Sequence, residues 1–258
     1  MKIGFFDSGL GGLIALKAVA KALPQYDYEF YGDTANLPYG DKSEEEIFTL
    51  TKAGIKHLFD RDCLLVIVAC NTASAETLRR LQDGFLKTEY PDHRVLGVII
   101  PTVEELVSGD IKHALLVGTK RTVASGKYER ELAKLTDAPL ITSRATPELV
   151  PLIELGEAEA ALGSLVATVR GVGEVDAVIL GCTHYSLLKD GLRAALPELK
   201  IISQDEIIPT KLADYLERHE EIKSKLSEGS TRNVYLTDNS ARYDHVIREL
   251  LGGAFIEA

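Results

Sequence analysis

The chain has 258 residues, a formal net charge of −10 and 45% hydrophobic residues. This length and apolar content suffice for a substantial core in one large or two modest domains. The acidic balance argues against a nucleic-acid-binding surface, since phosphate backbones are bound by clustered Lys and Arg. No apolar run approaches the roughly 20 residues of a membrane span, and the sequence opens on a strand-like segment without a signal-peptide pattern, so we expect a cytoplasmic protein.

Short apolar runs alternate with amphipathic stretches along the chain. The apolar runs predict strands at residues 2–6, 28–31, 64–69, 95–100, 114–117, 138–142, 177–180, 200–202 and 233–237. The amphipathic stretches predict helices at residues 13–23, 43–59, 73–86, 158–172, 211–226 and 243–251. This alternation is typical of βαβ units and a mostly parallel sheet, so we predict the α/β class.

The two halves of the chain carry similar strand ends. This similarity predicts two pseudo-symmetric lobes, each a mostly parallel sheet flanked by helices, with the active site in the cleft between them. We place the crossings near residues 95–101 and 207–211. The first lobe would then comprise residues 1–96 and 211–258, and the second lobe residues 97–210.

Two of the three cysteines lie in matching contexts. Cys70 and Cys182 each follow a β-branched apolar run and precede small polar residues, the pattern of a buried strand that ends before a helix. Ligands bind at such strand ends in open α/β sheets. Cys63 opens an apolar run, and we interpret it as structural. An odd number of cysteines without Cys-x-x-Cys spacing indicates reduced thiols rather than disulfides or a zinc site.

The paired thiols suggest acid–base chemistry. A helix N-terminus beyond each strand would favour thiolate over thiol, because its amides and dipole stabilise negative charge. Two such bases facing one carbon atom indicate racemisation, in which one removes a proton and the other returns a proton to the opposite face. A structural role is about as common for either cysteine alone, since free cysteines often serve as small buried hydrophobes. The occurrence of two cysteines in the same context favours a functional role over a structural one.

Three loops after predicted strands carry polar side chains. Asp7 and Ser8 begin a glycine-rich turn that lacks both the Rossmann spacing and a Walker lysine, and ordinary helix capping explains it equally well. The loop at residues 31–40 carries several polar groups, as substrate-holding loops do. The segment at 118–122 offers hydroxyls that could bind a carboxylate or cap a helix.

Five sequence blocks, which follow one another in order along the chain, resemble the glutamate racemases of the aspartate/glutamate racemase superfamily, and the resemblance covers nearly the whole chain. They are FFDSGLGGL (5–13), YGDTANLPYG (31–40), VACNTASA (68–75), GTKRTVASGKY (118–128) and LGCTHYSLL (180–188). The resemblance implies two α/β lobes, no cofactor, no metal and a homodimer. It also implies interconversion of L- and D-glutamate, with D-glutamate supplied for peptidoglycan synthesis.

The same resemblance implies roles for individual residues. Cys70 would deprotonate D-glutamate and Cys182 L-glutamate, with Asp7 and His184 each assisting one thiol. Glu154, in the segment VPLIE (150–154), matches a catalytic glutamate of the family. The residues implied to bind the substrate are Asp7, Ser8, Pro38, Tyr39, Gly40, Cys70, Asn71, Thr72, Thr119, Thr122, Cys182, Thr183 and His184.

Two segments depart from the family pattern. GVIIPTVEE (97–105) stands where a Pro-Gly-Ala-type turn is common, and TDNSA (237–241) replaces a Thr-Ser-Gly-like stretch. The first departure could alter the crossing between the lobes or the entrance of the site. Neither departure changes the catalytic assignment.

Three alternatives remain open from the sequence. The substrate could be aspartate or another small acidic amino acid, since one methylene is worth only about 1–3 kcal/mol in a pocket. A Cys/His hydrolase or acyl transferase could use Cys182 as nucleophile, but it would give Cys70 no role. A non-catalytic partner protein, such as an inhibitor of another enzyme, would need neither thiol.

Overall fold

A computed structural model describes residues 1–238 and 256–257 of the chain. The strands in this part are β1 Lys2–Asp7, β2 Tyr28–Gly32, β3 Cys63–Val68, β4 Arg94–Gly97, β5 His113–Gly118, β6 Leu140–Ala145, β7 Ala177–Gly181, β8 Lys200–Ile202, β9 Arg232–Leu236 and β10 Ile256–Glu257. The α-helices are α1 Gly12–Ala22, α2 Glu44–Asp60, α3 Asn71–Arg80, α4 Lys87–Glu89, α5 Ile99–Ser108, α6 Lys120–Ala124, α7 Lys127–Leu132, α8 Leu149–Glu154, α9 Ala158–Arg170, α10 Lys189–Ala195, α11 Gln204–Arg218 and α12 Glu220–Lys223. Single-turn and irregular helices are Thr34–Asn36, Tyr39–Asp41, Leu81–Leu86 and Thr183–Leu188.

The strands form two parallel sheets, which confirms the predicted α/β class with two lobes. The first sheet has the order β10-β9-β2-β1-β3-β4, and the second has the order β6-β5-β7-β8. In the first sheet, β2 follows β1 on one side, while β4 follows β3 on the other side. In the second sheet, β6 follows β5 on one side, while β8 follows β7 on the other. Crevices for ligands form at such switch points, beyond the carboxyl ends of the strands.

Helices cover both faces of each sheet, so the central strands are continuous apolar runs. Every residue of β3 is buried. Successive side chains of a strand point to opposite faces, and Phe5 and Phe6 of β1 accordingly enter different hydrophobic cores. This packing leaves the carboxyl ends of the strands as the place where polar side chains can gather.

The chain crosses between the lobes at two places. At the first crossing, Val98 packs in a core of the first lobe and Ile99 in a core of the second. At the second crossing, Ile207 of α11 packs in the second lobe, while Leu212 of the same helix packs in the first. The predicted boundary at 210 falls inside α11, which contacts α1 extensively. The division of the chain into residues 1–96 with 211–258 and residues 97–210 stays a prediction.

Several element boundaries differ from the sequence-based prediction. The run at 95–100 is not one strand, because β4 ends at Gly97 and α5 begins at Ile99. The helix predicted at 211–226 begins at Gln204, contains Pro209 and ends at Arg218. The helix predicted at 243–251 lies outside the described residues. No helix within the described ranges is both long enough and apolar enough to cross a bilayer.

Candidate active site

A cavity of about 380 Å³ lies between the lobes, at the carboxyl ends of the parallel strands. Its volume falls in the range of small-molecule sites. Cys70, which follows β3, and Cys182, which follows β7, both line this cavity. The two switch points therefore face each other, and each brings one thiol to the shared space.

Cys70 caps the N-terminus of α3. Its Sγ accepts hydrogen bonds from the Oγ of Ser8 at 3.3 Å and from the backbone N of Ala73 at 3.4 Å. Burial nevertheless raises the pKa of the Cys70 thiol to about 12, and the nearby Asp7 adds to the rise. The sequence predicts that the helix N-terminus favours the thiolate, but desolvation outweighs the hydrogen bonds to the sulfur.

Asp7 lies at the end of β1 and is fully buried. Its carboxylate accepts hydrogen bonds from the backbone N of Gly9 at 3.1 Å and from the Oγ1 of Thr183 at 3.4 Å. Burial raises the pKa of Asp7, although a positive charge on His184 and the amides of the glycine-rich turn oppose this rise. Because Thr183 belongs to the second lobe, Asp7 links the two lobes beside the cavity.

Cys182, His184 and Glu154 form a row in the second lobe. The Sγ of Cys182 lies 3.8 Å from the Nδ1 of His184, and the Nε2 of His184 lies 3.2 Å from the Oε1 of Glu154. Burial alone would lower the pKa of His184, but its hydrogen bonds to Cys182 and Glu154 raise that pKa to about 10. His184 is therefore protonated at neutral pH and can stabilise negative charge on the Cys182 sulfur.

Most of the residues predicted for the site line the cavity. They are Ser8, Pro38, Tyr39, Gly40, Cys70, Asn71, Thr72, Thr119, Glu154, Cys182, Thr183 and His184. Asp7 and Thr122 are behind the wall, Asp7 against Thr183 and Thr122 against Thr72 and Thr119. The structure brings the whole set together at one cavity, while the role of each residue stays a prediction.

Three threonine hydroxyls meet where α3 and α6 approach each other. The Oγ1 of Thr72 lies 3.0 Å from that of Thr119 and 3.2 Å from that of Thr122. Thr119 also caps α6 by accepting a hydrogen bond from the backbone N of Thr122 at 3.1 Å. Each hydroxyl can both donate and accept, so the group can rotate to donate to an anionic ligand.

Tyr39 is fixed by a buried acid. Its hydroxyl donates to the carboxylate of Asp33 at 2.6 Å. Asp33 also accepts hydrogen bonds from Asn36 at 2.8 Å and from Thr237 at 2.9 Å. Burial raises the pKa of Tyr39, with the neighbouring Asp33 adding to the effect, so the phenol stays protonated.

Sequence reasoning missed several residues of the site. The cavity wall also contains Thr34, Ala35, Leu37, Asp41, Lys120, Thr146, Pro147, Val150, Pro151, Gly181 and Tyr185. Many of these lie within the five sequence blocks, whose order along the chain was the available signal. Thr146 follows β6 without any motif, and only the fold brings it near Tyr185, whose hydroxyl lies 2.9 Å from its Oγ1. Among the described residues, no group of three or more His, Cys, Asp or Glu side chains is placed to hold a metal ion.

Two α/β lobes that each contribute a thiol to one interlobe cavity define the chain as a two-lobed α/β protein with a candidate active site in its cleft. A family model described as Asp/Glu/Hydantoin racemase matches residues 15–208. A glutamate racemase of Jannaschia sp. (strain CCS1) is 42% identical over 253 residues, covering 92% of this chain and 91% of that protein. The chain belongs to the Asp/Glu/hydantoin racemase family.

Solved structures of glutamate racemases are also similar to this chain. A glutamate racemase isoform from Bacillus anthracis has a TM-score of 0.88 and 27% identity, covering 100% of this chain and 96% of that one. The glutamate racemase from Francisella tularensis, determined in complex with D-glutamate, has a TM-score of 0.86 and 26% identity, covering 99% of this chain and 95% of that one. The two-lobed fold of this chain is therefore that of glutamate racemases.

Proposed function

We propose that this chain interconverts L- and D-glutamate without a cofactor, with Cys70 and Cys182 as the two acid–base groups. The observation that carries the proposal is the presence of both thiols, one from each lobe, in the wall of one cavity. The names of the relatives, which match over nine-tenths of the chain, support glutamate as the substrate.

In the proposed reaction, a thiolate on one side of the α-carbon takes the α-proton, and the thiol on the other side donates its own proton. The bond from hydrogen to carbon breaks on one face and forms on the other, so the configuration inverts. The first sulfur ends as a thiol and the second as a thiolate. By resemblance, Cys70 acts on D-glutamate and Cys182 on L-glutamate.

The two thiols have different surroundings, and this difference favours one starting state. Protonated His184 lies 3.8 Å from the Cys182 sulfur and would stabilise negative charge that develops there, while burial raises the pKa of Cys70 and keeps it protonated. This arrangement favours removal of the α-proton of L-glutamate by Cys182 and return of a proton by Cys70. The reverse direction needs a thiolate at Cys70, which Ser8, the Ala73 amide and the substrate's own ammonium group would stabilise.

The α-hydrogen beside a carboxylate is far less acidic than a thiol, so the site must stabilise a carbanionic transition state. Preorganised donors in a water-poor cavity supply such stabilisation. We assign this task to backbone amides at the start of α3 and at the start of the Thr183–Leu188 helix, which both open onto the cavity. Closure of the lobes around the substrate would exclude water.

The remaining roles are proposed from the resemblance and from position. The hydroxyls of Ser8, Tyr39, Thr72, Thr119 and Thr183 would bind the carboxylates and the ammonium group, with Thr122 supporting Thr72 and Thr119. Asp7 would assist proton transfer at Cys70, and His184 with Glu154 would assist it at Cys182. The proposal also includes a cytoplasmic homodimer that supplies D-glutamate for peptidoglycan, and these parts rest on the resemblance alone.

Circular dichroism of purified protein with L-glutamate, and separately with D-glutamate, tests the function. We expect both signals to decay to zero without added cofactor, and deuterium to enter the α-carbon in heavy water. If the circular dichroism signal decays with aspartate but not with glutamate, the enzyme is a racemase of the same family that acts on aspartate. Absence of turnover on both amino acids would overturn the racemase proposal.

Serine substitutions test the two thiols. Cys70→Ser and Cys182→Ser should each lower kcat by about 100- to 10,000-fold or more, because each direction needs both sulfurs. Cys63→Ser is the matched control, since Cys63 is also buried but does not line the cavity. It should retain turnover and lose only stability. Substantial racemisation by both Cys70→Ser and Cys182→Ser would contradict the two-base mechanism.

A further inference from the structure

Three buried polar side chains near Cys70 are joined to one another by hydrogen bonds. The Nδ2 of Asn71 donates to the Oε1 of Gln204 at 2.8 Å, and the Nε2 of Gln204 donates to the Oδ1 of Asn71 at 2.7 Å. The hydroxyl of Tyr128 donates to the same Oδ1 at 2.7 Å and accepts from the Nε2 of Gln204 at 3.2 Å. We call Asn71, Tyr128 and Gln204 the amide clamp.

The amide clamp crosses between the lobes. Asn71 is the first residue of α3 in the first lobe, directly after Cys70. Tyr128 lies on α7, and Gln204 begins α11 directly after the second sheet's last strand, β8. All three side chains are at most 3% exposed. Three of the four hydrogen bonds involve the amide of Asn71, and at a buried position they hold it firmly, since leaving any of these groups unpaired is costly.

Only one member of the clamp reaches the cavity. Asn71 lines it, whereas Tyr128 and Gln204 do not. Burial raises the pKa of Tyr128, so its hydroxyl keeps its proton and can donate to Asn71. Any effect of Tyr128 or Gln204 on the substrate must therefore pass through Asn71 or through the position of the lobes.

The clamp leaves Asn71 with one free hydrogen-bond donor and no free acceptor. A side-chain amide has two N–H donors and an oxygen with two lone pairs. The clamp fills both lone pairs of the Oδ1 and uses one N–H of the Nδ2. One N–H remains, and it suits a carboxylate but not an ammonium group.

We infer that Gln204 and Tyr128 are positioning residues, which hold Asn71 so that its remaining N–H donates to a carboxylate of the substrate beside Cys70. This inference rests on the proposed racemase function. Without the clamp, the amide can rotate and present its oxygen to the same carboxylate. Because the clamp joins α3 to α7 and α11, it also ties the correct orientation of Asn71 to the relative position of the lobes.

Two variants break part of the clamp with little change in volume. Gln204→Met removes three of its four hydrogen bonds, while Tyr128→Phe removes two and leaves the pair between Asn71 and Gln204. We expect kcat/KM for glutamate to fall by about 5- to 50-fold in Gln204→Met and by less in Tyr128→Phe, mainly through KM, because the carboxylate is already charged before the reaction. The fall must be equal for the two enantiomers, since their equilibrium constant is one.

Two control variants separate this effect from a general loss of side-chain hydrogen bonds. Gln82→Met deletes the Nε2 bond of Gln82 to the Val95 carbonyl, and Tyr28→Phe deletes the bond of the Tyr28 hydroxyl to the Leu23 carbonyl. Neither residue lines the cavity. Both controls should lose stability and keep kcat and KM within about twofold of the wild type.

A double-mutant cycle with Asn71→Ala decides whether the effect passes through Asn71. If it does, Asn71→Ala with Gln204→Met should lose no more kcat/KM than Asn71→Ala alone, within about twofold. If the double variant instead loses kcat/KM by the product of the two single losses, the inference is wrong. It is also wrong if Gln204→Met folds and has the kcat and KM of the wild type. Should Gln204→Met fail to fold, Tyr128→Phe completes the same cycle. A wild-type protein that does not racemise glutamate would instead overturn the proposed function, and this inference with it.

Discussion

At the scale of single residues, burial and close partners set the protonation of the site in opposite directions. Burial raises the pKa of Cys70, which has only neutral donors to its sulfur. His184 is buried too, but its contacts with Cys182 and Glu154 raise its pKa to about 10. The second lobe therefore holds the cation, and the first lobe holds the neutral thiol. A two-base enzyme needs such a difference, because one sulfur must be charged while the other is not.

The charge on His184 has a consequence for stability. Its folded pKa of about 10 exceeds its ordinary value of 6.5, so its contribution is complete below pH 6.5 and is lost as the pH rises through 10. The free energy of unfolding of the wild type should therefore fall between pH 6.5 and 10 relative to that of His184→Gln. Urea denaturation of both proteins at pH 6, 8 and 10 measures the difference. A difference that does not change with pH would contradict the assignment of charge.

At the scale of elements, the glycines before α1 allow a close contact between the lobes. A Cβ on Gly11 would overlap the Thr183 side chain and lie 2.9 Å from the backbone N of His184. A Cβ on Gly12 would lie 2.7 Å from the Cβ of Asp7. Gly11, as the N-cap of α1, makes no side-chain cap. The glycine-rich turn therefore serves packing of α1 against the second lobe.

Gly11→Ala tests this close contact. The added methyl group must push α1 away from Thr183, and a displacement near 1 Å at a reacting site can cost about 100-fold in rate. We expect kcat/KM for glutamate to fall at least about tenfold. Gly84→Ala is the control, because a Cβ there meets nothing within 4 Å. If both variants have the same kinetics by circular dichroism, the contact does not matter for catalysis.

The strands and helices also show which parts of the fold could be predicted from the sequence. Buried parallel strands such as β3 and β7 are apolar runs with polar ends, so their existence and the place of Cys70 and Cys182 could be predicted. The sequence predicts a single strand at 95–100, because the apolar residues pass from a buried strand directly into a buried helix face and periodicity does not separate the two. The helix predicted to begin at 211 is longer than expected, because α11 runs from Gln204 through Pro209, with Leu212 and Leu216 buried against the first lobe.

The partners within the site were harder to predict than its thiols. Asn71 could be placed beside the cavity from its position after Cys70. That its side chain bonds to Gln204 and Tyr128 depends on where β8 and α7 end in space. Asn71 and Gln204 are far apart in the sequence, and each resembles an ordinary polar residue at the start of a helix. Their contact therefore cannot be predicted from the sequence.

At the scale of the whole molecule, charged side chains of α6 tie the second lobe to the first. Arg121 forms an ion pair with Glu76 at 2.9 Å and lies 4.0 Å from Glu44. Lys120 lies 3.6 Å from Asp41 at the rim of the cavity. Most of these groups are exposed, but the side chain of Glu76 is only 8% exposed. The pair of Arg121 with Glu76 should therefore contribute more to holding the lobes together than the others.

Arg121→Gln should shift the lobes toward a more open arrangement, because Glu76 then loses its cation. We expect KM for glutamate to rise by about three- to tenfold with a smaller change in kcat, as the energy of closing the lobes is drawn from substrate binding. In the wild type KM should also rise with added NaCl, since salt screens the same pairs, and the variant should respond less. Arg80→Gln is the matched control, because Arg80 pairs with Glu45 inside the first lobe. An equal rise in KM for both variants would mean that α6 does not hold the cleft, and that closure depends instead on uncharged contacts such as those of Thr72 and Thr183.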